Sequence, residues 1–497
     1  MTVPEIRIRE LNQCPLQRDG DYVLYWMIAN RRTRSNFSLQ RAVELSKELN
    51  KPLLVFEALR CGYEWASDRL HRFILQGMAD NRDSLQDSSV GYYCYVEPKA
   101  GHGSGLLAAL STNACAVITD DFPCFFIPQM LKSIAPRLSV RLEAIDSNGL
   151  LPMRAASQIY PTAYAFRRFL HKTLPDHLDQ TPKINPMSHI ELPAFSSVPN
   201  EILERWPMAS DQLLQATPES LADLPLDHQV GPVDFDGGMN AAGKTLKQFL
   251  DVRFERYAEE RNLPEEEVTS GLSPYLHFGH ISVHEVFKRV ANREQWNAAK
   301  VMEQKATGKR SGWWQMSETA EGFLDELITW RELGYNMCWQ RDDYDQYESL
   351  PDWARTTLEE HASDKRDPSY TLDEFEQART HDELWNAAQT QMVTEGRMHN
   401  YMRMLWGKKI LHWSESPQAA LEIMMHLNNK YAVDGRNPNS YSGIFWCLGR
   451  YDRAWGPERP IFGKIRYMTS ENTARKFSVD GYLERFSKEK RQGSLFD

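Results

Sequence analysis

A change of period partway along the chain limits the fold more than any other feature of the sequence. Up to about residue 146, short apolar runs alternate with helical patterns. YVLYWMIA (22–29), PLLVFEAL (52–59), GYYCYV (91–96), ACAVITDD (114–121) and RLEAID (141–146) read as strands. NFSLQRAVELSKEL (36–49) and DRLHRFILQGMADNRDSL (68–85) between them read as helices. This alternation predicts a parallel sheet with helices on both faces and ligand positions at the carboxyl ends of the strands. No G-x-G-x-x-G follows the first strand, so a standard dinucleotide site is not expected there. Nine of the 26 prolines then fall between Pro175 and Pro232, which predicts a surface-wrapping connector with little regular structure. From about residue 240 the patterns are helical. The expected organisation is an α/β Rossmann-like domain over 20–175, a linker over 176–236 and a larger all-α domain over 237–490.

With 497 residues the chain is long enough for more than one core. A net charge of −10 argues against nucleic acid covering the whole surface but leaves room for a local basic patch. Seven scattered cysteines without a Cys-x-x-Cys pair read as reduced thiols. There is no apolar leader and no run of 18 apolar residues, so neither a signal peptide nor a membrane span is expected. A cytoplasmic setting follows, nucleoid-associated if the host is bacterial.

Several motifs carry competing readings. Gly238–Thr245 (GMNAAGKT) matches the phosphate-loop pattern, but the polar GPVDFDG before it makes a poor central strand. The alternative is a helix start capped by Asn240. His277, His280 and His284 share a helical face without a completing ligand, so no metal is expected.

The stretch Leu384–Trp413 holds three tryptophans, four methionines and two arginines. On a helical wheel Met398, Met402, Leu405, Trp406, Ile410 and Trp413 take one side, and Asn400, Met404, Gly407 and Leu411 the opposite strip. A helix apolar on two sides is buried on both. Arg403 within it then needs either a core carboxylate or an anionic ligand. Trp385, Trp406 and Trp413 suit a core or a chain for electron hopping. Residues 450–466 carry five Lys/Arg against two acids, with Tyr451 and Trp455 interleaved. That pattern suits a nucleic-acid groove or a solvated loop with Trp455 tucked down.

TSGLSPYLHFGHIS (269–282), FLDELITWRELGYN (323–336), MHNYMRMLWGKKILHWSESP (398–417), LNNKYAVDGRNPNSYSGIFW (427–446) and ERPIFGKIRYM (458–468) together resemble the class II cyclobutane pyrimidine dimer photolyases. LWNAAQ (384–389) and the first strand region fit the same family. The resemblance implies an α/β antenna domain and a helical domain holding FAD, reduced and anionic when active. It implies light-driven repair of pyrimidine dimers flipped out of UV-damaged DNA.

By the same resemblance, Tyr257, Thr269, Ser270, Gly271, Leu272 and Ser273 would hold the FAD phosphates. Arg403 would lie along the flavin ring with Asp434 and Asn437 near it, and Asn428 would face flavin N5. Glu326 would hydrogen-bond the dimer as a protonated acid, a state that burial favours. Trp330 and Trp446 would grip the dimer, with Met404, Asn400, Arg261 and Asn262 beside it. Arg453, Trp455 and Arg466 would fill the hole left in the duplex. Trp406, Trp385 and Trp413 would carry electrons inward, Trp413 outermost.

An antenna pigment of deazaflavin type, or none, is the expectation, with a monomer and no obligatory protein partner. A cryptochrome-like light sensor is the alternative; the full set of lesion-pocket residues argues against it. Three departures stand out: DGRNPNS (434–440) where the family often has an acidic residue and a glycine, Asn400 where many relatives have glycine, and a long 291–320 segment with Trp296, Trp313 and Trp314.

Overall fold

A computed structural model describes residues 2–188 and 190–487. The sheet has six strands: β1 (Ile8–Glu10), β2 (Tyr22–Met27), β3 (Leu53–Leu59), β4 (Gly91–Val96), β5 (Ala114–Asp120) and β6 (Leu142–Ile145). Their spatial order is β1-β6-β5-β2-β3-β4, parallel throughout except for antiparallel β1. The five expected strands form within a residue or two of the sequence reading. β1 lies before residue 20, so the α/β unit starts earlier than expected; three residues give too short a pattern to read. Every residue of β2 is buried, which is why it lacks in–out alternation.

The carboxyl end of β2 explains the missing dinucleotide fingerprint. The N–H groups of Ile28, Ala29 and Asn30 all donate to the Asp120 carboxylate, at 2.9, 2.8 and 2.9 Å. Three converging backbone donors make an anion nest, and here the protein fills it with its own carboxylate. Beyond that edge a cavity of about 670 Å³ opens past β2–β5, lined by aromatic rings including Trp26, Phe56, Tyr95 and Phe126. His277, Phe278 and Arg436 of the helical part also line it.

The connector contains short helices at Asn200–Arg205, Asp211–Leu214 and Pro218–Leu221, more regular than expected. Ser210 and Thr217 cap the last two through their hydroxyls. The region after 237 is helical, as read; the expected boundary at 490 lies outside the described residues.

The α/β and helical parts interlock through buried polar groups. Arg69 donates to the carbonyls of Tyr431 (2.6 Å) and Val393 (2.7 Å), near the ends of the helices Pro417–Tyr431 and Glu383–Glu395. Such terminal carbonyls have no partner within their own helix. Glu332 accepts from the N–H groups of Leu150 and Leu151 at 2.7 and 3.1 Å. Burial is the main reason its pKa rises to about 7.

Candidate active site

The helix Asn400–Trp413 runs between two packed sides, as its pattern requires. Met402, Leu405, Trp406, Ile410, Leu411 and Trp413 are all buried. Gly407 permits a close helix contact: a Cβ there would meet the Cys447 sulfur at 2.4 Å. Arg403 has a core carboxylate partner, Asp434, at 3.3 Å. That bond does not exhaust it, because Arg403 Nε is buried without any partner. An unpaired buried guanidinium N–H is costly, so the site is incomplete without an acceptor.

Other groups around this centre fit an anionic cofactor. Thr269–Leu272 run into the short helix Ser273–His277, with Gly271 at φ +69. A side chain at that φ would be strained, and the turn presents backbone and hydroxyl groups. A neighbouring cavity of about 200 Å³ is lined by Thr269, Arg253, Arg397 and Gln391 together with Glu265, Glu266 and Glu267, and Arg397 pairs with Glu267 and Glu395. Arg253 Nε is buried and unpartnered too. Sequence reading missed Arg253 and Arg397 because single arginines in charged helical segments carry no pattern. Asn428 is buried and its amide donates to Ser440 Oγ at 2.6 Å. Ser440 is one of the departures noted above, and its hydroxyl orients that amide.

Asn437 has a local role whatever else it contacts. Its oxygen accepts from Asn439 N–H and its amide meets His277 Nδ1 at 3.1 Å. It therefore caps the helix Pro438–Cys447. Asp and Asn cap about equally well, which makes this departure mild.

Trp385 Nε1 donates to the Trp406 carbonyl at 3.0 Å, and the Trp385 and Trp413 rings lie 6.1 Å apart. The Trp385 and Trp413 rings are thus neighbours, and Trp385 is tied to the Trp406 backbone. Trp413 does not itself reach the surface, being only 2% exposed. Tyr370 and the exposed His381 cover it, with ring centres at 5.7 and 5.0 Å. Lys409 Nζ also sits over its ring.

On the other side, Glu326 belongs to a π-helical turn, Asp325–Trp330. Arg261 Nη1 reaches Glu326 Oε1 at 3.0 Å and the Tyr257 hydroxyl at 3.5 Å. Tyr257 thus faces the Arg261–Glu326 pair. Burial raises the Glu326 pKa, Arg261 opposes this, and Asp325 adds to it. The expected neutral acid competes with an ion pair, and removing Arg261 from Glu326 is what would free the proton-bearing form. Trp330 ends the same turn and is half-buried.

The 450–466 loop is more ordered than either sequence reading. Arg466 lies over Trp455 at 4.1 Å and Trp446 at 5.5 Å, while Arg453 covers Trp455 at 4.6 Å. Asp452 fixes the set by accepting from Arg466 Nε (2.9 Å) and Trp455 Nε1 (3.1 Å). Such cation–π stacks hold rings in a defined plane. Beneath Trp446, at 4.7 Å, lies the buried Lys408, which donates to the Cys447 carbonyl at 2.7 Å. Burial pushes its pKa down to about 8. The lysine pair of GKK passed unnoticed because lysine inside a helix normally marks a solvent face. Met404 is half-buried; Asn400 and Asn262 are exposed.

The remaining motifs resolve into packing. GMNAAGKT is helical along its length, in Gly238–Gln248, with no strand before it. Its cap is Gly237, not Asn240, whose amide instead binds Asp80 at 2.6 Å. His280 Nδ1 accepts from Gly238 N–H at 2.8 Å while His277 faces Asn437, so the histidines serve separate neighbours.

No protein-family model matches the chain. It is 34% identical over 479 residues to the deoxyribodipyrimidine photo-lyase of Methanothermobacter thermautotrophicus, covering 96% of this chain and 97% of that one. Against the deoxyribodipyrimidine photo-lyase of Arabidopsis thaliana it is 34% identical, covering 94% and 89%. Against that of Potorous tridactylus it is 32% identical, covering 97% and 84%. The fold is also that of a bacterial class III photolyase from Agrobacterium tumefaciens, with a TM-score of 0.63 at 16% identity over 94% of this chain and 86% of that one. On the strength of these near full-length likenesses, the chain belongs to the deoxyribodipyrimidine photo-lyase family.

Proposed function

We propose that this protein repairs cyclobutane pyrimidine dimers in UV-damaged DNA under light, as a member of the class II branch of its family. The observation that carries the reading is one assembly of groups. An arginine with a spare buried N–H stands on the same helix that packs beneath the Trp446–Arg466–Trp455 stack. A light sensor without repair needs the first of these and not the second.

FAD, when bound in its reduced anionic form, supplies the electron that opens the dimer under blue light. Arg403 would offset the negative charge with its free Nε, held in place by Asp434. Asn428 would offer an amide already oriented by Ser440. Thr269–Ser273, Tyr257, Arg253 and Arg397 would hold the phosphates. Glu326 would bind the flipped pyrimidines, exchanging Arg261 for a base as partner. Trp330 and Trp446 would grip the dimer with Met404 behind it, while Asn400, Asn262 and Arg261 border the pocket. Arg453, Trp455 and Arg466 would enter the vacated duplex. A lesion pairs weakly, so flipping it costs less than flipping a normal base.

The 670 Å³ cavity at the sheet edge is the proposed place for an antenna pigment of deazaflavin type. Its aromatic lining suits a flat chromophore. The limits 20–175, 176–236 and 237–490 remain the proposed domains, with β1 added to the first. A monomer in the cytoplasm, associated with the nucleoid if bacterial, without an obligatory protein partner, completes the proposal. Among the described residues no helix is long and apolar enough to cross a membrane.

Illumination of the chemically reduced protein with a dimer-containing oligonucleotide tests the reading. Loss of dimers is expected. Persistent dimers with FAD bound and reduced would refute it.

A further inference from the structure

The 291–320 segment has no role in anything above, yet it is firmly anchored. Trp296, Trp313 and Trp314 pack together, with Trp296 Nε1 donating to the Trp314 carbonyl at 2.6 Å. His171 stacks flat on Trp313 at 4.3 Å. Arg167 donates to the Gly308 carbonyl and pairs with Asp325 at 2.8 Å. What these contacts hold is a cationic tip, with Lys305, Lys309 and Arg310 exposed.

The position of this tip is informative. Arg310 is 56% exposed and reaches Asp325, the residue before Glu326, at 3.5 Å. Gly308 lies against Tyr164 and Arg168 of the helix Ala163–Thr173. The start of that helix joins the other basic element, because Thr162 bridges to Tyr451. Two cationic elements thus meet the N-terminal half of one helix, close to each other and beside the turn that carries Glu326. In a chain of net charge −10 such a strip is not a by-product of composition.

We propose that the 297–317 segment is a second DNA-backbone contact, in which Lys305, Lys309 and Arg168 bind phosphates of the duplex flanking the lesion. This rests on the repair reading above. Its contacts are to phosphates and carry no sequence or damage information. It adds affinity for damaged and undamaged duplex alike, whereas the Trp446–Arg466–Trp455 assembly discriminates between them.

The test is fluorescence anisotropy of the full chain with FAD bound. It uses a labelled duplex with one dimer and the same duplex without it, across a salt series. The variant Arg168→Ala/Lys305→Ala/Lys309→Ala spares Arg310 and its Asp325 pair. Both duplexes are expected to bind more weakly, and the slope of log affinity against log salt to fall by about 2 to 3. The preference for the dimer and the repair yield per bound complex are expected to stay unchanged. Replacing the two lysines by arginine instead should keep affinity, which separates loss of charge from loss of fold. Unchanged affinity and salt slope in the alanine variant would overturn the proposal. Absence of any dimer preference in the unaltered protein would instead sink the repair reading itself.

Discussion

Two cavities of the molecule differ in how they are made. The one at the sheet edge is walled mainly by rings and aliphatic groups, and its polar members, such as Arg31, Glu97 and Arg436, have no buried atom without a partner. The cofactor-side region is built from charged groups, and two of its arginines, Arg253 in the cavity wall and Arg403 outside it, keep a buried Nε without a partner. An apolar cavity can persist without an occupant, since its lining has no polar bonds to lose. A pocket with orphaned guanidinium N–H groups is destabilised until something accepts from them. Occupancy should therefore matter little for the stability of the first region and strongly for the second.

Arg403→Ala strikes that difference hardest. It leaves Asp434 without its ion-pair partner and is expected to strip FAD and abolish repair; retained flavin at full stoichiometry, read by absorbance, would contradict the assignment. Trp406→Phe is expected to block photoreduction of oxidised flavin while repair by chemically reduced enzyme continues. Loss of both with flavin retained would break the chain assigned to the three indoles. Trp446→Ala should weaken binding of dimer-containing DNA by about 5- to 150-fold, the range for one lost aromatic stacking contact. Undamaged DNA should bind as before. On the sheet side, Ala108→Phe intrudes on the cavity. It should lower pigment uptake yet leave repair under direct flavin excitation within about twofold, the smallest effect on chemistry that the comparison predicts.

Glu332 gives a test that touches neither cavity. Its pKa rises from 4.5 unfolded to about 7 folded, so the folded protein holds the extra proton between those values. That contribution to stability is complete below about pH 4.5 and is lost as pH rises through 7. Relative to Glu332→Gln, the unaltered protein is expected to lose about 2 °C of melting temperature between pH 6 and 8. Buried His280, held near 3, works the other way and costs stability as pH falls below its ordinary 6.5.

Much of this was legible in the sequence. Strands β2 to β6 and the two-sided helix Asn400–Trp413 follow from apolar spacing, because burial on both faces leaves a direct trace. The partner of Arg403 was readable as a requirement, though not as Asp434 alone. What escaped depends on long-range placement. Lys408 reads as a surface lysine until Trp446 is laid over it, and the capping role of Asn437 shows only once its helix is placed. The anchoring of Gly308 by Arg167 and His171 joins residues some 140 apart, which no local pattern reveals.

Arg69 has a consequence in time. It belongs to the part of the chain made first, and the carbonyls it satisfies, on Val393 and Tyr431, are made more than 300 residues later. At the ~5–20 residues per second typical of synthesis, the α/β part waits roughly 15 s or more for them. During that wait the sheet can close, but the guanidinium must stay hydrated. The last helices thus dock onto a surface already prepared for them, and a nascent chain halted before Tyr431 would carry a folded sheet with its seam still wet.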